Sequence, residues 1–311
     1  MKIAHDLIRD LSMYKFPDKY QYELKKTFPE VKLIEIDPLN YTNDQLLDID
    51  AYIGDRINIG MIDKMPNLKW LHLTSVGTDK IPEDRRINGN DQIIVTNSAG
   101  IMTDAVASSA LAFMFALGQG LHHNAKTRES FDTYQLPEVI FDQQVLILGR
   151  GSIAEVLINK CMALGMKVIQ MKNLTPAIYK SQIYKFMDAD YVINTLPLTS
   201  QTNQLIDIKA FDMMKPTAYF INVGRWQTVI EEDLIVALYY KKIAGAGLDV
   251  FKNSLLSTHT SVISTPHIAG GFTNYWTQQY NLIWNNLHEF INESDYKKYK
   301  NCVFCLTRNY L

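Results

Sequence analysis

Cysteine is scarce in this chain, with three in 311 residues. So few exclude a disulfide framework and fit a reducing, cytoplasmic setting. Cys302-x-x-Cys305 has the spacing of a redox or metal half-site but no second pair, so no metal is expected. Neither sign of charge is in excess: 31 Lys and Arg stand against 33 Asp and Glu, for a net charge of −2. That balance removes the electrostatic basis for general nucleic-acid or anionic-membrane binding. The start, Met1-Lys2-Ile3-Ala4-His5-Asp6, lacks the apolar core of a signal peptide. Long apolar runs are also missing, save one imitation. Residues 105–125 carry no Asp, Glu, Lys or Arg and are long enough to cross a bilayer. They include Ser108, Ser109, Gln119, His122, His123 and Asn124, and no second candidate accompanies them. A buried helix between domains or subunits is the better reading, and no membrane partner is expected.

What is present is a regular alternation. At 311 residues and 47% hydrophobic, the chain can bury about two cores. In the first hundred residues the strand candidates are Lys2–Ala4, Val31–Ile36, Ala51–Ile53, Lys69–Leu73 and Ile93–Thr96. Helical patterns at Lys19–Thr27, Asn43–Leu47 and Ile59–Met65 separate them. After a long helix at Met102–His123, strands recur at Gln144–Leu148, Lys167–Met171, Tyr191–Asn194, Ala218–Asn222, Gly245–Asp249 and Val262–Ser264. An amphipathic run, Asn274–Asn292, ends the pattern. Strands separated by helices indicate parallel sheets covered on both faces, and two runs of the pattern indicate two doubly wound α/β units.

Gly149-Arg-Gly-Ser-Ile-Ala154 follows the apolar run Val145–Leu148 and opens a helical stretch. Strand, glycine-rich turn and helix come in the order a dinucleotide site needs. Gly149 permits the tight turn, and Gly151 lets the backbone approach a pyrophosphate. Ala154 allows close helix–strand packing, and the N–H groups from Ser152 and Ile153 onward are free for phosphate. Downstream, Arg225 and His267 each stand just after a predicted strand end, where open α/β sheets bind ligands. An Arg grips a carboxylate bidentately, and a His exchanges a proton near neutrality. Those are the two side-chain roles needed for hydride transfer between a nicotinamide and a 2-oxo or 2-hydroxy acid.

From about Leu68 to Gly271 the chain resembles the D-isomer-specific 2-hydroxyacid dehydrogenases. Leu73-Thr-Ser-Val-Gly-Thr-Asp79 resembles the family's substrate loop, which implies a carboxylate held by the backbone of Ser75, Val76 and Gly77. Val95-Thr-Asn-Ser-Ala-Gly100 with Thr103 resembles the entry to its interdomain helix. Asn194-Thr-Leu-Pro-Leu-Thr199 resembles the adenosine- and ribose-lining segment, so Thr195, Leu196, Pro197 and Thr202 are expected at the cofactor. Asn222-Val-Gly-Arg225 adds Val223 and Gly224 to that list, with Arg225 as the substrate cation. Gly247-Leu-Asp-Val-Phe251 supplies Asp249, expected at both cofactor and catalytic centre. Thr265-Pro-His-Ile-Ala-Gly270 supplies His267 as general acid/base. The resemblance implies a Rossmann-type nucleotide-binding domain, 99–271, inserted into a flavodoxin-like substrate domain, 1–98 and 272–311. It also implies a homodimer built on the 102–123 helix.

Three residues depart from the family pattern. Ser254 stands where a Glu usually orients the catalytic His, which predicts reductive activity tilted towards acidic pH. Trp226 replaces the Gly after the catalytic Arg and places an indole at the substrate crevice. Lys172 replaces the Asp that binds the ribose 2′-OH of NAD, so with Asn173 it favours NADP over NAD. Two functions stay open on this reading. One is an NAD(P)-dependent oxidoreductase of small 2-oxo/2-hydroxy acids; the other is a non-catalytic dinucleotide-binding or regulatory protein on the same scaffold.

Overall fold

Every apolar run read as a strand in the first hundred residues forms one. They are β1 (Lys2–His5), β2 (Lys32–Glu35), β3 (Ala51–Ile53), β4 (Trp70–Leu73) and β6 (Ile93–Asn97), with a two-residue β5 (Arg86–Ile87) before the last. The second run is β7 (Gln144–Leu148), β8 (Lys167–Met171), β9 (Tyr191–Asn194), β10 (Tyr219–Asn222), β11 (Gly245–Leu248) and β12 (Val262–Ser264). A last strand, β13 (Cys302–Leu306), was not anticipated. These elements belong to a computed structural model that describes all residues except 8–14, 83–85, 88–92, 125–135, 294 and 307–311. The chain divides into one unit of Met1–Met102 with Phe272–Leu311 and another of Thr103–Gly271.

The first unit holds one sheet in the order β2-β1-β3-β4-β6-β13-β5. Its strands from β2 to β6 are parallel, and β13 runs antiparallel to β6 and β5. The Tyr275–Ile291 helix seals one face: Ile283 and Leu287 are buried with Trp70, and Trp276 stacks on Phe16 at 5.2 Å. The Cys302-x-x-Cys305 spacing is accounted for by β13. Cys305 is buried in the sheet opposite Ile94, and burial pushes the Cys302 thiol up to about 11, far from a reactive thiolate.

The second unit is a wholly parallel sheet, β8-β7-β9-β10-β11-β12. Its order begins second–first–third–fourth, as in flavodoxin-like sheets, so the order reverses between β7 and β9. The glycine-rich turn after β7 lies at that switch point, where a crevice opens beyond the strand ends.

The expected 102–123 helix is shorter and broken. It runs Thr103–Gly118, and a separate turn of helix follows at Leu121–Asn124. Gly120 adopts φ 60, a left-handed conformation that ends the first helix, and a Cβ on Gly118 would fall on the Tyr191 hydroxyl. Ala125, the end of the uncharged stretch, lies outside the described residues. Among the described residues, no helix is long and apolar enough to cross a membrane. The helix also has one buried face rather than apolar surface all round. Phe113, Met114 and Leu117 are buried in the protomer, and Phe113 packs where a Cβ on Gly247 would sit. Leu111 and Phe115 are only half-buried.

Candidate active site

The glycine-rich turn is shaped by contacts that leave no room for side chains on one side and open space on the other. Gly149 adopts φ 129, and a Cβ there would strike the Thr195 hydroxyl. Thr195 is seated on the end of β7, its N–H and hydroxyl both donating to Leu148 O, at 3.0 and 2.8 Å. A Cβ on Gly151 would meet nothing, so the space beside the N-terminus of the Ser152–Ala163 helix is open. Thr103 and Ser152 hydroxyls lie 3.0 Å apart, joining the long helix to this turn. Beyond the turn, a pocket of about 350 Å³ is lined by Arg150, Glu155, Gln170 and Lys172. An open helix N-terminus beside a cleft with two cations fits a dinucleotide phosphate backbone. Lys172 and Asn173 are exposed at the end of β8, with Asn173 at φ 52. Leu196 and Val223 are buried, and Pro197 is exposed. The Thr202 hydroxyl donates to Pro197 O at 2.6 Å and so closes the 197–202 turn.

A buried amide network, not singled out from the sequence, sets the geometry of the two neighbouring turns. Asn194 and Asn222 end β9 and β10 side by side in register. Asn194 Nδ2 donates to Asn222 Oδ1 at 3.0 Å and to Thr228 Oγ1 at 2.8 Å. Their other contacts reach the loops: Leu196 N–H donates to Asn194 Oδ1, and Gly224 N–H to Asn222 Oδ1, each at 3.1 Å. The Thr228 hydroxyl in turn donates to Arg225 O at 2.7 Å. Gly224 is pressed against the Leu196 backbone, where any Cβ would overlap it. The signal was available as an Asn at the last position of two successive buried strands. Arg225 is half-buried, and its Nη1 donates to Gly224 O at 3.0 Å.

Asp249 holds the His267 loop. Its N–H donates to Asn222 O at 3.0 Å, tying it to the strand that leads to Arg225. Its Oδ1 accepts from the Thr265 hydroxyl at 2.6 Å, Ile268 N–H at 2.9 Å and Ala269 N–H at 3.1 Å. His267 adopts φ 57, and its N–H donates to Asp249 O and Thr265 O, both at 2.9 Å. A non-glycine residue in that region is uncommon and persists where its surroundings over-determine it. The ring-bearing residue is exposed. Ser254, at the usual Glu position, is exposed as the first residue of the Ser254–Thr258 helix. Glu231, which belongs to the family-like stretch after Arg225 but has no role in the sequence reading, is a buried carboxylate; it accepts from Lys252 N–H at 2.8 Å and Asn253 N–H at 2.9 Å.

In the other unit, the loop after β4 has its carbonyls occupied. Ser75 O accepts from Ser98 N–H at 3.1 Å, Val76 O from Asn97 Nδ2 at 2.8 Å, and Gly77 O from the Ser75 hydroxyl at 3.3 Å. Among the described residues, none of the three N–H groups donates to the protein. A backbone with its carbonyls tied back and its amides uncommitted is an anion cradle.

The chain matches the family model for the D-isomer specific 2-hydroxyacid dehydrogenase NAD binding domain over residues 111–269, just over half its length. It is 26% identical to a glyoxylate reductase of Pyrococcus furiosus over 295 residues, covering 86% of this chain and 84% of that protein. Two solved structures share its fold. One is a D-lactate dehydrogenase from Aquifex aeolicus complexed with NAD and lactic acid, with TM-score 0.80, 20% identity, and coverage of 96% of this chain and 97% of that one. The other is an NADPH-dependent glyoxylate/hydroxypyruvate reductase from Sinorhizobium meliloti with NADP and malonate, with TM-score 0.76, 22% identity and 93% coverage of each chain. The fingerprint turn, the paired asparagines and the Asp249-held His267 loop all lie inside the matched segment, and on that match the chain belongs to the D-isomer-specific 2-hydroxyacid dehydrogenases.

Proposed function

We propose that this chain reduces a small 2-oxo acid to the D-2-hydroxy acid and prefers NADPH to NADH. The observation that carries the reading is Asp249, whose single carboxylate oxygen fixes the loop of a potential proton donor beside the strand that leads to Arg225. In the reductive direction, the Arg225 guanidinium grips the substrate carboxylate and polarises the adjacent carbonyl. His267, as imidazolium, gives its proton to the carbonyl oxygen as that atom becomes a hydroxyl. The nicotinamide, when bound, supplies the hydride. Asp249 is a positioning residue, since its Oδ1 is engaged by the loop itself. A purely regulatory protein has no need to keep Arg225, Asp249 and His267 together, and nothing in the relatives supports that alternative.

The cofactor preference rests on charge. Arg150 and Lys172 line the same pocket, with Glu155 as the one opposing carboxylate. A 2′-phosphate carries up to two negative charges, so a charge-assisted contact to Lys172 contributes roughly 1–3 kcal/mol. That corresponds to about 5- to 150-fold in affinity. Fluorescence titration should find NADPH bound more tightly than NADH, and Lys172→Ala should remove most of the difference. Tighter NADH binding that Lys172→Ala leaves unchanged would overturn the preference.

We also infer a homodimer through the Thr103–Gly118 helix, but on narrower grounds than the sequence suggested. Its outward positions Ser108 and Ala112 are exposed, and Ala105, Ser109, Leu111, Phe115 and Ala116 are half-buried, with Asp104 as the lone charge. Small and apolar residues on one face suit close helix contact between copies. Sedimentation at micromolar concentration should give a dimer that Leu111→Glu/Phe115→Glu dissociates; a wild-type monomer would refute it. Free thiols at Cys161, Cys302 and Cys305 support a cytoplasmic setting.

A further inference from the structure

The cradle of Ser75, Val76 and Gly77 ends a chain of contacts that starts on a buried charge two strands away. The ends of β1, β3 and β4 lie side by side in the first unit's sheet. Asp6, the residue after β1, is only 1% exposed, yet both of its carboxylate oxygens are occupied. Oδ2 accepts from Arg56 N–H at 2.8 Å and from the Tyr52 hydroxyl at 3.0 Å. Oδ1 accepts from Asp55 N–H at 3.4 Å. The Arg56 side chain closes the ring, its Nη2 donating to Asp6 O at 3.1 Å. Two of these donors are backbone groups of the loop that follows β3, so the carboxylate is the seat of that loop. Gly54 completes the fit, since a Cβ there would fall on the carboxylate itself.

The loop after β3 in turn braces the loop after β4. Thr74 N–H donates to Gly54 O at 3.4 Å just before the cradle, and Lys80 Nζ donates to Asp55 O just beyond it. Those two contacts bracket Ser75, Val76 and Gly77. From other directions the Tyr275 hydroxyl donates to Thr74 O at 3.0 Å, and Asn97 and Ser98 tie back the cradle's carbonyls. Of these supports, the one through β3 is the one that ends on a buried charge.

The residue type is informative. Burying a carboxylate is costly, and a well-packed apolar residue is often at least as stabilising in such a place. What the carboxylate adds is geometry. Its two oxygens accept three donors from different directions, more than an amide or hydroxyl oxygen has lone pairs for. The second unit uses the same device, because Asp249, also buried past a strand end, collects the N–H groups of the His267 loop. We propose that Asp6 is a positioning residue for carboxylate binding, holding the Ser75–Gly77 amides in place through the loop after β3. The proposal rests on the reductase reading for the identity of the acid.

Two variants of the full chain test it. Asp6→Asn removes one acceptor with little change of shape, and Gly54→Ala pushes the carboxylate off its seat. Each is compared with the wild type in NADPH-dependent reduction of glyoxylate and in calorimetric binding of oxalate, which offers no keto group to reduce. Both variants should raise KM for glyoxylate and Kd for oxalate together, by about five- to thirtyfold, as expected for one or two lost hydrogen bonds. Their kcat and their NADPH affinity should stay close to wild type. A purely structural Asp6 gives another pattern. A smaller folded fraction lowers apparent kcat and leaves KM and oxalate Kd unmoved, and that result overturns the proposal. Weaker NADPH binding in step with weaker oxalate binding also overturns it, as general distortion. Oxalate binding weakened in both variants, with no 2-oxo acid reduced by the wild type, upholds the role of Asp6 and overturns the reductase reading. Oxalate that fails to bind the wild type overturns the cradle, and the part of Asp6 with it.

Discussion

His267→Gln should lower kcat/KM for 2-oxo acid reduction by about 10²- to 10⁴-fold, the usual contribution of a positioned general acid. The loop complicates the substitution, because residue 267 sits at φ 57 and is held there through its N–H. Asn tolerates that conformation better than Gln does. His267→Asn therefore separates loss of the proton donor from distortion of the loop, and both variants should lose activity alike. Cofactor affinity, set by the turn after β7, should stay nearly unchanged. Residual activity within tenfold of wild type in both would mean that another group delivers the proton. The missing Glu adds a second readout. A carboxylate restored by Ser254→Glu favours the charged imidazolium. Reduction by that variant should persist to higher pH than in the wild type. An unchanged profile would mean that residue 254 does not reach the His267 ring.

Much of this site is legible in the chain because its chemistry is carried by short segments just past strand ends. Gly149–Ala154, Asn222–Arg225 and Thr265–Gly270 each read as a turn after an apolar run, and the sheet places them at one edge. What escaped was set by pairing between strands. The Asn194–Asn222 pair depends on β9 and β10 being neighbours in register, which local pattern does not encode. The second–first–third–fourth strand order of both sheets is likewise a tertiary choice. β13 was missed for a different reason: its two cysteines suggested chemistry, while its antiparallel partners lie some two hundred residues earlier. The long helix was over-read because absence of charge looked like apolarity on every face. Gln119 and Gly120 were counted inside it, and the buried stripe of Phe113, Met114 and Leu117 is covered within the protomer. Trp226 and Ser254 were each visible as departures, but only folding shows that they share a pocket.

Acid should destabilise this protein steeply between about pH 6.5 and 4, through two histidines buried in the first unit. Burial lowers His5 to about 4, helped by the Lys25 charge, and lowers His72 to about 3. His72 lies in a closed network: the Trp70 indole N–H donates to Thr96 Oγ1 at 2.9 Å, and that hydroxyl meets His72 Nδ1 at 2.8 Å. On its other side His72 Nε2 is 2.9 Å from the Gln279 amide, whose Oε1 is otherwise buried without a partner. With the amide oxygen turned to the ring, Nε2–H donates to Oε1 and the Thr96 hydroxyl donates to Nδ1. Both ring nitrogens are then satisfied by the neutral imidazole, and a second ring proton has nowhere to go. The sign follows from linkage. Below an ordinary histidine value of about 6.5 the unfolded chain takes up protons that the folded chain refuses, so stability falls as pH falls. Each histidine contributes a slope of about 1.4 kcal/mol per pH unit, and the pair about twice that, until His5 begins to titrate in the folded state near pH 4. Asp6, raised chiefly by desolvation, works the other way, because its folded carboxyl takes a proton before the unfolded one does. A total stability of about 5–15 kcal/mol leaves little margin against a loss of that size. Urea unfolding at half-unit steps from pH 7 to 4.5 measures the slope directly. His72→Gln, whatever it costs at pH 7, should lose about half of that slope, since one of the two refused protons is gone. A slope identical to wild type would mean that His72 is not held neutral, and that the network around Thr96 and Gln279 accommodates the charge.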